Sequence, residues 1–192
     1  MENLFEVIEE YNKDLHMIPH MYQTEGAGKG RNLSGLLYEN LITNICKISN
    51  LDARRNDYKT SEIIGGYQLK NLQVDKHIYK DNVLVKMVES KTYLDVCYLK
   101  RAVDDMIDLH HSPEVNDEVE YAVFTGQKSL AEDSMNFHVE KFKRKTGKTL
   151  KIFVFNKNKI RSPKKGIYME EYKDDFSIDM EVITEFAKWL TK

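Results

Sequence analysis

Glu89 and Lys91 stand two residues apart at the end of the run VLVKMVESKTYL, where Val83, Leu84, Val85, Met87 and Val88 would suit the inside of a sheet. Side chains alternate faces along a strand, so Glu89 and Lys91 share the face of Met87. A carboxylate and an ammonium held side by side suit chemistry on a phosphate. The first offers oxygen to a hard cation; the second orients a water or meets charge that builds on the phosphate. The same residue types recur as Glu171-Tyr172-Lys173 and Asp57-Tyr58-Lys59. Those lie in polar, turn-like surroundings without an apolar strand leading in, and read as surface charges.

A second carboxylate follows from the hairpin signal. YQLKNLQVDKHIY, the short turn Lys80-Asp81-Asn82 and VLVKMVESK form two runs rich in β-formers around a turn. With the turn centred on Asp81, residues whose numbers sum to about 162 face each other, which sets Asp75 opposite Met87 and diagonal to Glu89. Diagonal neighbours lie roughly 7–8 Å apart, within reach of one shared ion. Two carboxylates that close repel unless a cation sits between them, and their oxygens suit Mg²⁺. Glu39, in GLLYENLI, interrupts an apolar segment and is a fourth candidate for the same site; a solvent-facing glutamate is the other reading.

Asp75, a hairpin spacer and then Glu89-Ser90-Lys91 resemble the active-site motif of the PD-(D/E)xK nuclease superfamily. The residue before Asp75 is Val74, where that motif often carries proline. A preceding helix with a glutamate, and a helix, strand, helix and strand that follow, are similar to the superfamily's core over about residues 33–156. Size and build look most like a type II restriction endonuclease. The resemblance implies that Asp75 and Glu89 bind Mg²⁺, that Lys91 assists the attacking water and that Glu39 is an auxiliary acid.

The elements that must position these residues follow from periodicity. Residues 2–16 carry Leu4, Phe5, Ile8 and Leu15 at helical spacing. TEGAGKGRN, from Thr24 to Asn32, reads as a flexible basic loop. It is no P-loop, because Gln23 and Gly30 occupy the places where that motif needs a glycine and a Ser or Thr. A helix over Leu33 to Ile48 presents Leu36, Leu37, Leu41, Ile45 and Ile48, and residues 49–61 read as polar turns. After the hairpin, DVCYLKRAVDDMIDLHH is helical and ends before Ser112-Pro113. Glu120 to Gly126 is a buried strand, SLAEDSMNFHVEKFKRKTG a helix and LKIFVFN a strand. SIDMEVITEFAKWL closes the chain as a helix, with Ser177 as its N-cap. The expected fold is α/β, a central mixed β-sheet flanked by helices with a restriction-endonuclease-like core. The 192 residues read as one domain, with a basic loop and helix over 157–192.

Charge is segregated. From Lys141 to Lys165 every charged residue is a cation, while Asp104 to Glu120 and Glu170 to Glu185 are rich in acid, and the formal net charge is −2. A basic third can hold a polyanion, though a solvated face without a partner fits the charge run as well. With a nuclease in view, the candidates for gripping double-stranded DNA are Arg144, Lys145 and the loop residues Lys157, Lys159, Arg161, Lys164 and Lys165, with Lys29 and Arg31 from the glycine-rich loop. Gln127 and Lys128 follow a buried strand at the sheet's C-terminal edge and could touch backbone or bases. Arg31 and Arg161 are the candidate base readers.

Other chemistries find little support. Cys46 and Cys97 sit in apolar segments and read as reduced core thiols of a cytoplasmic protein. The acidic, helical N-terminus is no signal peptide, and no run reaches membrane-spanning length. His110-His111 reads as a helix end and His77 as a structural residue that could also line the site. The expectation is a Mg²⁺-dependent type II restriction endonuclease, a homodimer matched to a palindromic site and accompanied by a cognate DNA methyltransferase. Phe186, Trp189 and Leu190 of the last helix are the candidate dimer surface. A structure-specific repair or recombination nuclease, and a non-catalytic nucleic-acid-binding module, are the alternatives.

Overall fold

The structure, a computed structural model, describes residues 2–15, 17–155 and 178–192. Its elements in chain order are α1 (Glu2–Leu15), α2 (Met17–Thr24), α3 (Ala27–Ile48), β1 (Asp52–Arg54), β2 (Tyr58–Ile64), β3 (Tyr67–Leu72), β4 (Lys76–Lys80), β5 (Val83–Leu94), α4 (Val96–His110), β6 (Glu120–Lys128), α5 (Glu132–Thr146), β7 (Leu150–Val154) and α6 (Met180–Thr191). Five strands form one mixed sheet in the order β1-β4-β5-β6-β7. β1, β4 and β5 are antiparallel neighbours; β5, β6 and β7 are parallel. No helix among the described residues is long and apolar enough to cross a membrane.

Both faces of this sheet are covered, which makes three layers. Ile78, Val88, Ala122, Phe124 and Phe153 pack with α1, α3 and α6 on one face. Met87, Tyr121, Val123 and Leu150 pack with α4 and Phe142 of α5 on the other. That is why β6 reads as unbroken apolar sequence: a parallel strand at the sheet centre has no wet side. Asp95 starts α4 by accepting from the Tyr98 N–H at 2.8 Å, and Leu99, Val103 and Met106 bury one helical stripe.

β4 and β5 join through a tight turn. Asp81 (φ 51°) and Asn82 (φ 64°) both take positive φ, the requirement of a two-residue type I′ turn. Beyond it the pairing shifts by one residue between Ile78 and Tyr79, so Lys80 faces Val83 but Ile78 faces Lys86.

Several sequence expectations change here. The segment 49–61 is not turn alone, since it holds β1 and most of β2. YQLKNLQVDKHIY is two strands: among the described residues β3 pairs only with β2, in a separate hairpin turned by Gly65-Gly66, while β4 joins the main sheet. Period-two alternation does not report which strand is the partner, so the break at Gln73-Val74 left no signal. The glycine-rich stretch largely continues α3 toward its N-terminus, which puts Lys29 and Arg31 on a helix. Cys46 is buried as expected, but Cys97 is exposed on the outer side of α4. Asp179, not Ser177, caps α6 through the Glu181 and Val182 N–H groups; Ser177 lies outside the described residues. Phe186, Trp189 and Leu190 are buried against Phe153 and the sheet, so they are core and not a dimer surface.

Near the C-terminal end of β6, α3 approaches the sheet at Gly126. A Cβ there would collide with Tyr38 Oη and stand 3.0 Å from the Thr92 carbonyl oxygen. Tyr38 is itself clamped, edge-on at 4.9 Å to Phe155, and cannot retreat. Gly126→Ala should therefore lower stability by about 1–3 kcal/mol through overpacking. Chemical denaturation checks it, and a midpoint equal to the parent's would contradict this packing.

Candidate active site

β5 and β6 run parallel with Lys91 beside Thr125, and the site forms at this end of the sheet. β1 points the same way, so the chain leaving Arg54 arrives at this edge, makes the β2–β3 hairpin, and returns through Gln73 and Val74 to Asp75. Alternation along β5 assigns Glu89 and Lys91 to the α4 face, because Met87 packs with α4 while Val88 packs with α3.

Asp75 stands directly across from Glu89, not diagonal to it. The register beyond the bulge pairs Lys76 with Val88 and His77 with Met87, so opposing numbers sum to 164 instead of 162. The two-residue turn contributes one step of the shift and the bulge the other. Carboxylates this close need fixed orientations, and the backbone supplies them reciprocally. The Asp75 N–H donates to Glu89 Oε2 at 3.2 Å, and the Ser90 N–H donates to Asp75 Oδ2 at 2.9 Å. Ser90 Oγ adds a third bond to Asp75 Oδ2 at 3.1 Å. The two acids thereby replace the next rungs of the ladder at the point where β4 begins.

Lys91 Nζ sits between them, hydrogen-bonded to Glu89 Oε1 and 3.6 Å from Asp75 Oδ2. All three side chains are mostly enclosed, with exposures of 15% for Asp75, 12% for Glu89 and 22% for Lys91. Burial first, and the Asp75 charge second, push the Glu89 carboxyl above the ordinary glutamate range, against the pull of Lys91. Burial alone would lower the Lys91 ammonium, but Glu89 and Asp75 outweigh it and the net direction is upward. Lys91 is accordingly a hydrogen-bond donor and a cation at neutral pH. Asp105 of α4 is near enough to feel Lys91; burial raises its carboxyl, and Arg101 at 3.6 Å holds it back.

Among the described residues no group of three or more His, Cys, Asp and Glu side chains is set to hold a metal ion. The donor set here is two carboxylates with oxygen ligands only. That excludes a closed structural zinc site, which asks for four N or S ligands. It suits Mg²⁺, which keeps several waters and takes one or two carboxylates plus substrate oxygens.

Glu39 is not drawn in with the other three. Its Oε2 lies 3.3 Å from Lys76 Nζ, on the face that α3 covers. The apolar flanks of Glu39 expressed burial beside a lysine, which sequence alone does not separate from burial in a site. Two residues at the site were missed: Ser90, whose backbone role has no sequence signature, and Arg55. Arg55 Nη2 lies 3.9 Å from Asp75 Oδ1, and its Nε donates to Gln73 Oε1. Only the excursion through β2 and β3 brings them together.

The proposed DNA contacts scatter. Lys29 is exposed and paired with Glu25 at 2.5 Å. Nine residues before Tyr38, or about 13 Å along the helix, it projects past the site edge of the sheet. Arg31 is on the same helix. Gln127 is buried in β6, so it is no free reader, and Lys128 ends that strand. Arg144 and Lys145 are exposed in the last turn of α5, which runs from the site edge to the opposite one, and they are on its far side. There they complement the helix dipole. Lys157, Lys159, Arg161, Lys164 and Lys165 lie outside the described residues. The Phe155 N–H donates to the Thr125 carbonyl, and the Asp179 N–H donates to the Phe155 carbonyl.

His77 does not line the site. It is fully buried under the Tyr58 ring at 4.9 Å, and its Nδ1 accepts from the Asn56 N–H at 3.1 Å. The ring proton is then on Nε2, which finds no partner among the described residues. Burial lowers its pKa from 6.5 to about 4. Between those values the unfolded chain takes up a proton that the folded one refuses, so stability should fall as pH drops through that window, by up to roughly 3 kcal/mol. In His77→Phe the slope of unfolding free energy between pH 6.5 and 4 should flatten; an unchanged slope would contradict a buried neutral imidazole.

Comparison with protein-family models, curated proteins and solved structures returns no match for this chain.

Proposed function

We propose that this chain is a Mg²⁺-dependent endonuclease that hydrolyses phosphodiester bonds of double-stranded DNA, acting as a homodimeric type II restriction enzyme. The observation that carries the reading is the convergence of Asp75, Glu89 and Lys91, locked by reciprocal backbone hydrogen bonds at the end of β5. The order α3, β1, β4, β5, α4, β6 supports it: a helix, three antiparallel strands, a helix and a parallel strand resemble the PD-(D/E)xK core, with β2–β3 as an insertion.

Asp75 and Glu89 would hold Mg²⁺, which supplies Lewis-acid polarisation of the phosphate and of a water. Lys91 carries its proton into the reaction, so its work is to donate: it orients the water and meets negative charge as it builds on the phosphate oxygens. Ser90 keeps Asp75 aimed while charges change around it. Lys29 overhangs the site edge and fits a phosphate contact along the duplex. A two-fold dimer would bring one such site to each strand of a palindrome.

Lys91→Ala should abolish cleavage of plasmid DNA in Mg²⁺, by at least about 100-fold, the scale of losing one such donor, while affinity for the duplex in Ca²⁺ stays near the parent's. Full activity in the variant would sink the mechanism. With the parent chain, discrete fragments from a long duplex support site-specific cutting. A smear or junction-restricted cutting replaces the restriction enzyme with a repair nuclease, and no Mg²⁺-dependent cutting leaves a binding module.

A further inference from the structure

Arg55 has no part in the scheme above, yet it is the cation on the open side of the acid pair. Lys91 is 22% exposed and bonded inside the site, whereas Arg55 is 55% exposed at its mouth. The Arg55–Asp75 approach of 3.9 Å is too long for a hydrogen bond. Attraction between charges holds it, and that attraction is easily outbid. Its Nε, by contrast, is tied to Gln73 Oε1, and Gln73 is tied in turn through Nε2 to Asp57 Oδ1 at 3.0 Å. The guanidinium is therefore anchored through Nε, while Nη2 lies toward Asp75.

The oxygens of the acid pair are unequally engaged. Asp75 Oδ2 takes Ser90 twice and Lys91 once, and both Glu89 oxygens have partners. Among the described residues Asp75 Oδ1 meets only the loose Arg55 contact, so it is the oxygen a divalent cation takes most readily. A divalent cation there and a guanidinium less than 4 Å away repel each other. Two carboxylates balance Lys91 and Arg55; adding a divalent cation leaves a net positive charge at the site, which a phosphodiester anion offsets in part. A guanidinium fork matches phosphate oxygens in pairs, and the Gln73 tether keeps this one within reach of them.

We propose that Arg55 is an exchangeable counter-ion: it competes with the divalent cation for Asp75 Oδ1, and when displaced it takes the backbone phosphate of the DNA strand at the site. The inference rests on the nuclease reading and adds to it an order of events, in which cation and DNA reinforce one another through one side chain.

The test uses the full chain and Arg55→Ala, with Mn²⁺ as the titrated cation and a DNA duplex in Ca²⁺. Arg55→Ala should bind Mn²⁺ about 3- to 10-fold more tightly in calorimetry without DNA, since a competitor is gone. It should bind the duplex about 10-fold more weakly, with the slope of log affinity against log salt reduced by about one. Arg55→Lys keeps the charge without the fork, so its Mn²⁺ affinity should stay near the parent's and its DNA affinity should fall between the two. A supporting role for the loop alone would weaken both affinities together, and that result overturns the exchange. So does an Arg55→Ala chain matching a parent that binds Mn²⁺ and cuts DNA. A parent that neither binds Mn²⁺ nor cuts DNA overturns the nuclease reading itself.

Discussion

Two carboxylates face each other across one antiparallel rung with a lysine between them, and the other contacts of the site answer to that pairing. Like charges at this separation in a mostly enclosed place drive each other toward protonation. They stay usable because three opposing effects meet there: Lys91 neutralises, the Asp75 and Ser90 N–H groups donate, and Arg55 closes the outer side. The register of β4 against β5 fixes all of these at once. A one-residue slip would send Glu89 and Lys91 to the α3 face and leave Asp75 without a partner. The Asp81-Asn82 turn and the bulge after Ile78 are therefore as much a part of the site as its acids.

Around that pairing the three-layer build supplies rigidity where it is needed. β5 is flanked on both sides, by β4 and β6, and covered on both faces, so Glu89 and Lys91 extend from a strand that cannot shift. α3 is pinned at the same end by Tyr38 against the Gly126 backbone, which keeps the helix carrying Lys29 aligned with the site edge. The β2–β3 hairpin differs: it pairs with no strand of the main sheet and exposes Ile63, Ile64 and Tyr67. It nonetheless sets the geometry, because its two stems deliver Arg55 and Asp75 to one place.

What the sequence made legible was local in origin. The apolar run before Glu89 announced a core strand, alternation aligned Glu89 with Lys91, and stripes such as Leu99, Val103 and Met106 announced helices. The hairpin turn put Asp75 within a residue or two of its true position. What stayed hidden required knowledge of partners. Nothing local distinguishes the exit from β3 from a continuous strand, so β3 and β4 merged. The short β1 is three residues with no alternation to read, and Arg55 vanished with it. Glu39 is the opposite case: an acid among apolar residues reads equally as a site residue or a solvent-facing one, and the structure pairs it with Lys76. Arg144 and Lys145 show a third kind: charge clustering along the chain does not say at which end of the sheet the cluster sits.

In the proposed nuclease Asp75 and Glu89 share a divalent cation, and calorimetric titration of Mn²⁺ into the protein measures that sharing most directly. Saturable binding is expected in the parent chain, and its loss in both Asp75→Asn and Glu89→Gln, with folding intact by circular dichroism. Undiminished Mn²⁺ binding in either variant, or none in the parent, would contradict it.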